Sequence, residues 1–341
     1  MMKAAIYHAF RDIRVDEVAT PGAPGRGELL VRVRVCGVCG SDVTDWYMDP
    51  RAPTTLGHEP AGDVVAVGEG VTEFAPGDRV ALHHHVPCMV CDMCQRGHHT
   101  LCATFKRTRL FPAGMAEYVR VPAEIVASDV LKLPDDMPYE IGALVEPVAC
   151  CVRALDRANV RVGDTVVVLG AGFNGIVMAM LAPHWGADRV VVLDRLPIRL
   201  QRAQSLGLRT MNSDDADIGE QVRLWADGSG PHVVLITPSK VPAIDFGFSL
   251  AGPGATVLLY GPPKKGETWA FDANRMFFQE ITITGTYSAA PADIRRTMSI
   301  LKNHVIDAEK LITHRFPLEQ AGQAWEMTRA AGDSLKVMVE L

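Results

Sequence analysis

The chain has 341 residues, 48% of them hydrophobic and 22% charged, with a formal net charge of −6 at pH 7. That length suggests two domains with ample core, and the negative balance excludes the basic footprint of a nucleic-acid binder. No uninterrupted apolar run reaches the roughly 20 residues that a membrane crossing needs, and no targeting segment, repeat or low-complexity linker is visible.

In chain order, the first informative strand-like stretch runs from Glu28 to Val35 and leads into Cys36-Gly-Val-Cys39-Gly-Ser41-Asp42. Cys36 and Cys39 form a C-x-x-C, which alone reads as a redox pair. The helix-opening context that lowers a thiol pKa in such motifs is missing. Nineteen residues after Cys39 comes His58, within Gly57-His58-Glu59. Thiolate, imidazole and carboxylate are the side chains that hold a catalytic zinc while leaving a position for water or substrate. An ordinary hydrogen-bonded histidine is the competing reading of His58. Neighbours on an extended strand point to opposite faces, so one of His58 and Glu59 binds loosely or the backbone bends there.

The cluster His83-His84-His85 follows and is expected in a solvated loop, as are His98 and His99. Between them begins a run with Cys88, Cys91, Cys94 and Cys102, separated by two, two and seven residues. Four thiolates so close can close a tetrahedral shell around one Zn²⁺, a structural site with no open position. Disulfides fit a chain of this size poorly; an iron–sulfur cluster is the other rival for the same thiolates. The densest basic run, Lys106 to Arg109, reads as a solvated or interface loop. Glu146 lies between two apolar stretches, where an uncompensated charge is costly; a metal would account for it.

The second half carries an independent signal. Thr165 to Leu169 is a β-branched run of the buried parallel type. It feeds into Gly170-Ala171-Gly172-Phe173-Asn174-Gly175, followed by a helix-like stretch from Ile176 to Trp185. In a dinucleotide site these glycines permit a tight turn, a close approach to pyrophosphate and tight helix packing. The next apolar run, Arg189 to Leu193, ends at Asp194, where the ribose-binding acid of an NAD site belongs. Arg195 and Arg199 lie nearby and would favour a 2′-phosphate instead. Strands at Val233–Ile236 and Ala255–Tyr260 around a helix at Pro242–Leu250 continue a doubly wound parallel sheet. A helix over Ala292–His304 and a last strand over Leu335–Leu341 end the chain.

Together these blocks resemble the zinc-containing medium-chain alcohol dehydrogenase superfamily. The matching residues are Cys39-Gly40-Ser41-Asp42, Gly57-His58-Glu59 through Gly68 and Val71, Gly77-Asp78-Arg79-Val80, the cysteine lobe, Glu146-Pro147 and the glycine fingerprint. Glu146-Pro147 looks most like the polyol (sorbitol-type) and threonine dehydrogenase branch. The resemblance implies an α/β plus β fold. A GroES-like β-barrel catalytic domain with both zinc sites spans residues 1–147, a Rossmann NAD-binding domain spans 148–285, and residues 286–341 return to the catalytic domain. The active site is then expected in the cleft between domains.

The resemblance also implies roles. Cys39 and His58 are catalytic zinc ligands, Glu59 and Glu146 share the remaining position, and Ser41 accepts the alcohol proton. Asp42 bonds the second ring nitrogen of His58. Gly170, Gly172, Phe173, Asn174, Gly175, Asp194 and Arg199 form the cofactor site. Lys336 is expected on the cofactor pyrophosphate, with a plain surface lysine as the other reading. The chain departs from the branch at Thr44, where a relay histidine is usual. The expected enzyme is a cytoplasmic homo-oligomer, dimer or tetramer, with two zinc ions per chain and NAD. It moves a hydride between a secondary alcohol, a polyol or sugar alcohol, and the nicotinamide. A threonine-type 3-hydroxy amino acid dehydrogenase is the alternative, and a non-catalytic nucleotide-binding protein is the reading from another class.

Overall fold

The computed structural model describes residues 1–341 and divides into two units, Met1–Ala149 with Ser288–Leu341, and Cys150–Tyr287. The first unit opens with β1 (Met2–Ala9), β2 (Asp12–Val18), β3 (Leu29–Val38), β4 (Thr54–Thr55), β5 (Glu59–Val67), β6 (Arg79–Leu82), β7 (Tyr118–Val121) and β8 (Val130–Lys132). The second unit carries β9 (Thr165–Leu169), β10 (Arg189–Asp194), β11 (Thr210–Asn212), β12 (Val233–Ile236), β13 (Thr256–Leu259) and β14 (Thr282–Gly285). The chain then returns to the first unit as β15 (Ile312–Pro317) and β16 (Lys336–Glu340).

In the first unit β2, β1 and β4 form a small sheet, and the larger one runs β15-β16-β3-β5-β6-β8 with β7 also paired to β3. Along β3 the alternation expected of a half-buried strand holds: Leu29, Val31, Val33 and Val35 are buried. Leu29, Val31 and Val33 pack with Val80, Leu82, Val119 and Val121. Each such side chain contributes about 1.5–3 kcal/mol by leaving water. Beyond Val35 burial becomes continuous, because Cys36 and Val38 join Trp325, Val337 and Val339 in another cluster.

The register decides what meets at the end of β3. Gly37 lies opposite Glu59 on one side and opposite Met338 on the other, and Val38 opposite Val337. Cys39 after β3, Glu59 at the start of β5 and Lys336 at the start of β16 therefore come to one place. The helix Val145–Ala158 runs through the domain boundary expected at Pro147. Pro147 lies in its first turn, where a missing amide hydrogen breaks no helical bond.

The second unit is a parallel sheet in the order β11-β10-β9-β12-β13-β14. Numbered within the unit this is 3-2-1-4-5-6, the dinucleotide-binding order. Central β9 is buried at every position. Its Val167 and Leu169 join Val191, Leu193, Val234, Ile236 and Val257 in one core. The helix after the glycine turn spans Phe173–Leu181. It gives way at Ala182–Trp185 to a 3₁₀ turn with Pro183 near its start, so the regular helix is shorter than the sequence suggests. No helix is long and apolar enough to cross a membrane.

Candidate active site and metal centres

Cys39, His58 and Glu59 come together, with one ligand atom of each within 4.8 Å of the others. The adjacency of His58 and Glu59 is resolved by the backbone. Gly57 has φ +91°, and His58 sits in the bend before β5 rather than on the strand. Glu59, on the strand, reaches across Gly37, where a Cβ would lie 1.9 Å from its Oε2. The glycine in Val35-Cys-Gly-Val38 is what gives this carboxylate room.

Asp42 ties the motif together. Its Oδ2 accepts from the Cys39 amide at 3.0 Å and its Oδ1 lies 3.3 Å from His58 Nδ1. That leaves His58 Nε2 as the metal donor, the tautomer that a partner carboxylate fixes. Burial opposes a charge on His58, but Asp42 and Cys39 outweigh it and hold its pKa well above the usual value. Such a negative field also suits a dication. Trp325, from the helix Ala321–Ala330, donates Nε1 to the carbonyl of Asp42 at 2.7 Å.

Lys336 corrects the sequence reading. It is not a surface lysine: 3% exposed, it places Nζ 2.8 Å from both oxygens of Glu59. Strand register explains this, since β16 pairs antiparallel to β3 and delivers its first residue beside Val38. Burial opposes the charge on Lys336, yet Glu59 and Cys39 raise its pKa. Burial also raises Glu59, against the pull of Lys336.

The C-x-x-C is not a redox pair. Cys36 is fully buried, its thiol contacts the Gly37 carbonyl, and burial with the nearby Glu59 charge drives its pKa upward. Thr44 turns its hydroxyl back to the Gly40 carbonyl at 2.8 Å. An adjacent cavity, about 420 Å³, is lined by Ser41, Tyr47, Arg51, His58, His84 and Arg109, among others. Arg109, expected in a surface loop, thus contributes a cation to its wall.

The histidine cluster is also corrected. His83 is 2% exposed, with Nδ1 2.6 Å from Asp129 Oδ2. His84 packs its ring 4.9 Å from that of His58, and burial with neighbouring His85 and His58 lowers its pKa well below the usual value. His85 bonds the Thr108 carbonyl, and burial lowers it to about 4. The solvated-loop expectation fails at His83 because, just past the end of β6 at Leu82, it pairs with the buried Asp129. Glu146, buried in the first turn of its helix, offers an oxygen within 4.8 Å of His83 and His84, and its charge is felt at Glu59. Sequence reasoning missed Gly37, His83, His84, Asp129 and Trp325. Only the histidine run was a visible signal.

The four lobe cysteines converge within 4.8 Å. Two Sγ–Sγ separations are 3.6 Å, Cys91 to Cys94 and Cys102 to Cys88. Zn–S bonds of about 2.3 Å put tetrahedral thiolates about 3.8 Å apart, so the donors fit zinc. Burial opposes ionisation of Cys102, but the amides of Cys88 and Phe105 bring it down to about 6.

In the second unit Gly170 turns with φ +101° after β9, and a Cβ on Gly175 would lie 1.9 Å from the Gly170 carbonyl oxygen. The Phe173 and Asn174 amides open the following helix. Asp194 accepts from Ala171 N at 2.8 Å and Leu196 N at 2.9 Å, with Arg199 Nη1 3.9 Å from Oδ2. Each carboxylate oxygen keeps a lone pair for a ribose hydroxyl, and the open turn fits a dinucleotide.

Comparisons with known proteins agree with this geometry. The alcohol dehydrogenase GroES-like domain matches residues 25–135, and the zinc-binding dehydrogenase domain matches residues 175–303. The chain is 32% identical over 349 residues to a sorbitol dehydrogenase of Halalkalibacterium halodurans, covering 99% of each. It is 31% identical to a D-xylulose reductase of Scheffersomyces stipitis, covering 98% of this chain and 97% of that one. Among solved structures, a zinc-binding dehydrogenase of Sinorhizobium meliloti bound to NADP superposes with a TM-score of 0.88 at 29% identity, covering 100% and 99%. The chain belongs to the zinc-containing medium-chain alcohol dehydrogenase superfamily, on its polyol dehydrogenase branch. It is an oxidoreductase with a GroES-like and a Rossmann domain.

Proposed function

We propose that this enzyme oxidises a polyol or sugar alcohol at a secondary carbon with NAD, through a zinc ion held by Cys39, His58 and Glu59 with Glu146 in reserve. The convergence of Cys39, His58 and Glu59 beside the cavity lined by Ser41 carries the reading. A zinc ion held there would supply Lewis acidity toward the alcohol, and the nicotinamide would be the hydride acceptor. Asp42 fixes the tautomer of His58, while Lys336 balances the buried charge of Glu59. Ser41 takes the hydroxyl proton toward solvent, so one alcohol and NAD⁺ yield one ketone, NADH and a proton. Glu146 eases ligand exchange by offering a second carboxylate near Glu59.

We assign the second zinc to the four lobe cysteines. NAD over NADP is supported by the placement of Asp194, although one structural relative was solved with NADP. Lys336, given its bond to Glu59, is assigned to the zinc centre and not to the cofactor. Free cysteines throughout support a reducing, cytoplasmic setting. Exposed Phe277 and Phe278, just before edge strand β14, support a homo-oligomer, dimer or tetramer. The test is steady-state turnover of polyols, inositols, threonine and simple secondary alcohols with NAD and with NADP. The reading expects polyol oxidation that Cys39→Ser abolishes; turnover confined to threonine would overturn the substrate class.

A further inference from the structure

We propose that the substrate oxidised at the Cys39 centre carries an oxyanion, a phosphate monoester or a carboxylate, on its polyol chain, and that Arg51 and Arg109 bind it. This narrows the polyol class proposed above and rests on it. The cavity of about 420 Å³ that has Ser41 and His58 in its wall has both arginines there too. Its volume falls in the range of about 300–1,000 Å³ typical of small-ligand pockets. Arg51 ends the short turn Asp49–Arg51, and Arg109 follows the helix Ala103–Arg107 beyond the cysteine lobe. Two unrelated segments thus each deliver a guanidinium to the space beside the reacting centre.

The charges in that wall do not balance. Asp42 is its only carboxylate, and it is committed to the Cys39 amide and His58 Nδ1. Arg51 lies 3.8 Å from the centroid of the Tyr47 ring and donates to the Tyr47 carbonyl. A ring and a neutral carbonyl fix the guanidinium in place without cancelling its charge. Elsewhere in this acidic chain arginines do find carboxylates, Arg34 on Asp63 and Arg223 on Glu220, each at 2.6 Å; Arg51 and Arg109 have no such partner. Beside burial and the neighbouring imidazoles, the Arg109 charge helps to hold His84 and His85 below their usual range, which puts it close to those two rings of the same wall. The hydroxyl of a neutral polyol can accept a bond from a guanidinium but cannot offset its charge. A phosphate or carboxylate does both, and can take two parallel bonds from one fork. The anion takes no part in the bond changes: the secondary alcohol still gives a ketone, NADH and a proton.

The test compares sorbitol, sorbitol 6-phosphate and gluconate as substrates of the zinc-loaded full-length enzyme with NAD. At least one anionic compound should exceed sorbitol in kcat/KM by about tenfold or more, the gain of one charge-assisted bond, and the gap should shrink as salt rises. Which of the two gains tells a phosphate from a carboxylate. Both arginines are exposed, so single variants should fold. Arg109→Gln should cut the ratio of anionic to neutral kcat/KM about tenfold, through KM rather than kcat. Arg109→Lys keeps the charge but not the fork and should restore part of it. Sorbitol turned over as well as both anionic compounds rejects the oxyanion and leaves the polyol reading intact. An unchanged ratio in both Arg51→Gln and Arg109→Gln, as solvated surface arginines would give, rejects the site. If none of the three compounds is oxidised, the polyol reading fails, and calorimetric binding of sorbitol 6-phosphate and gluconate decides the subsite. Binding that Arg109→Gln weakens supports it; equal binding to both proteins, or none to wild type, overturns it.

Discussion

Gly37 leaves the room in which the buried carboxylate of Glu59 lies. A methyl group there would lie 1.9 Å from Glu59 Oε2 and 3.3 Å from its Cβ. Since the clash falls on a side chain rather than backbone, Gly37→Ala should fold. It should push Glu59 off Lys336, weakening catalytic zinc and lowering kcat at least about tenfold, or about 1.4 kcal/mol. Metal content and kcat measured together check this, and unchanged values would remove Glu59 from the centre. Lys336→Met leaves Glu59 as a buried charge without its cation. Breaking such a pair costs about 3–5 kcal/mol, so denaturant unfolding of metal-stripped protein should show a loss of that order. The loss should shrink when zinc is present, because the dication takes over the neutralising role. Glu146→Ala should fold nearly normally, retain lobe zinc and lose kcat strongly. A sharply lower Tm with kcat intact, measured beside Glu59→Ala, would make Glu146 a structural carboxylate.

At the scale of elements, the two candidate metal centres depend on different parts of the same unit. The lobe from Cys88 to Cys102 has only short helices, Asp92–Gln95 and Ala103–Arg107, and a small apolar cluster around Phe105. With so little core, the zinc we assign to the four cysteines would be what holds the segment. Cys88→Ser should therefore lower Tm and release one zinc while the Cys39 centre keeps its metal. The catalytic motif leans instead on the C-terminal helix through Trp325. Trp325→Phe keeps most of the packing but removes the bond to the Asp42 carbonyl, worth about 1 kcal/mol. The expected result is a small fall in Tm with a several-fold fall in kcat/KM. Wild-type kinetics in that variant would mean that β3 and β5 alone position Asp42.

At the scale of the whole molecule, cofactor choice belongs to the parallel sheet and not to the metal unit. Asp194 is held by two backbone amides, from Ala171 and Leu196. Asp194→Ser removes both its repulsion of a 2′-phosphate and its bond to a 2′-hydroxyl. The ratio of kcat/KM for NAD to that for NADP should fall, and zinc content should not change. A wild-type preference for NADP would assign the pocket to Arg195 and Arg199.

What the linear chain determined were the features carried by short-range spacing. The lobe cysteines lie within fifteen residues, the glycine turn follows its strand directly, and β9, β10 and β12 show as apolar runs. In each, local conformation alone decides what the residues can do. The partners of Glu59 were decided only by tertiary structure. Lys336 is 277 positions away and meets Glu59 because β16 and β5 flank β3 in a particular register, which no local pattern encodes. The same holds for His83, whose burial depends on Asp129 arriving from another segment. A histidine triplet in isolation is a polar loop; the pairing of His83 with buried Asp129 takes its first member out of solvent. Pairing energies between distant strands, and the desolvation they impose, made that difference.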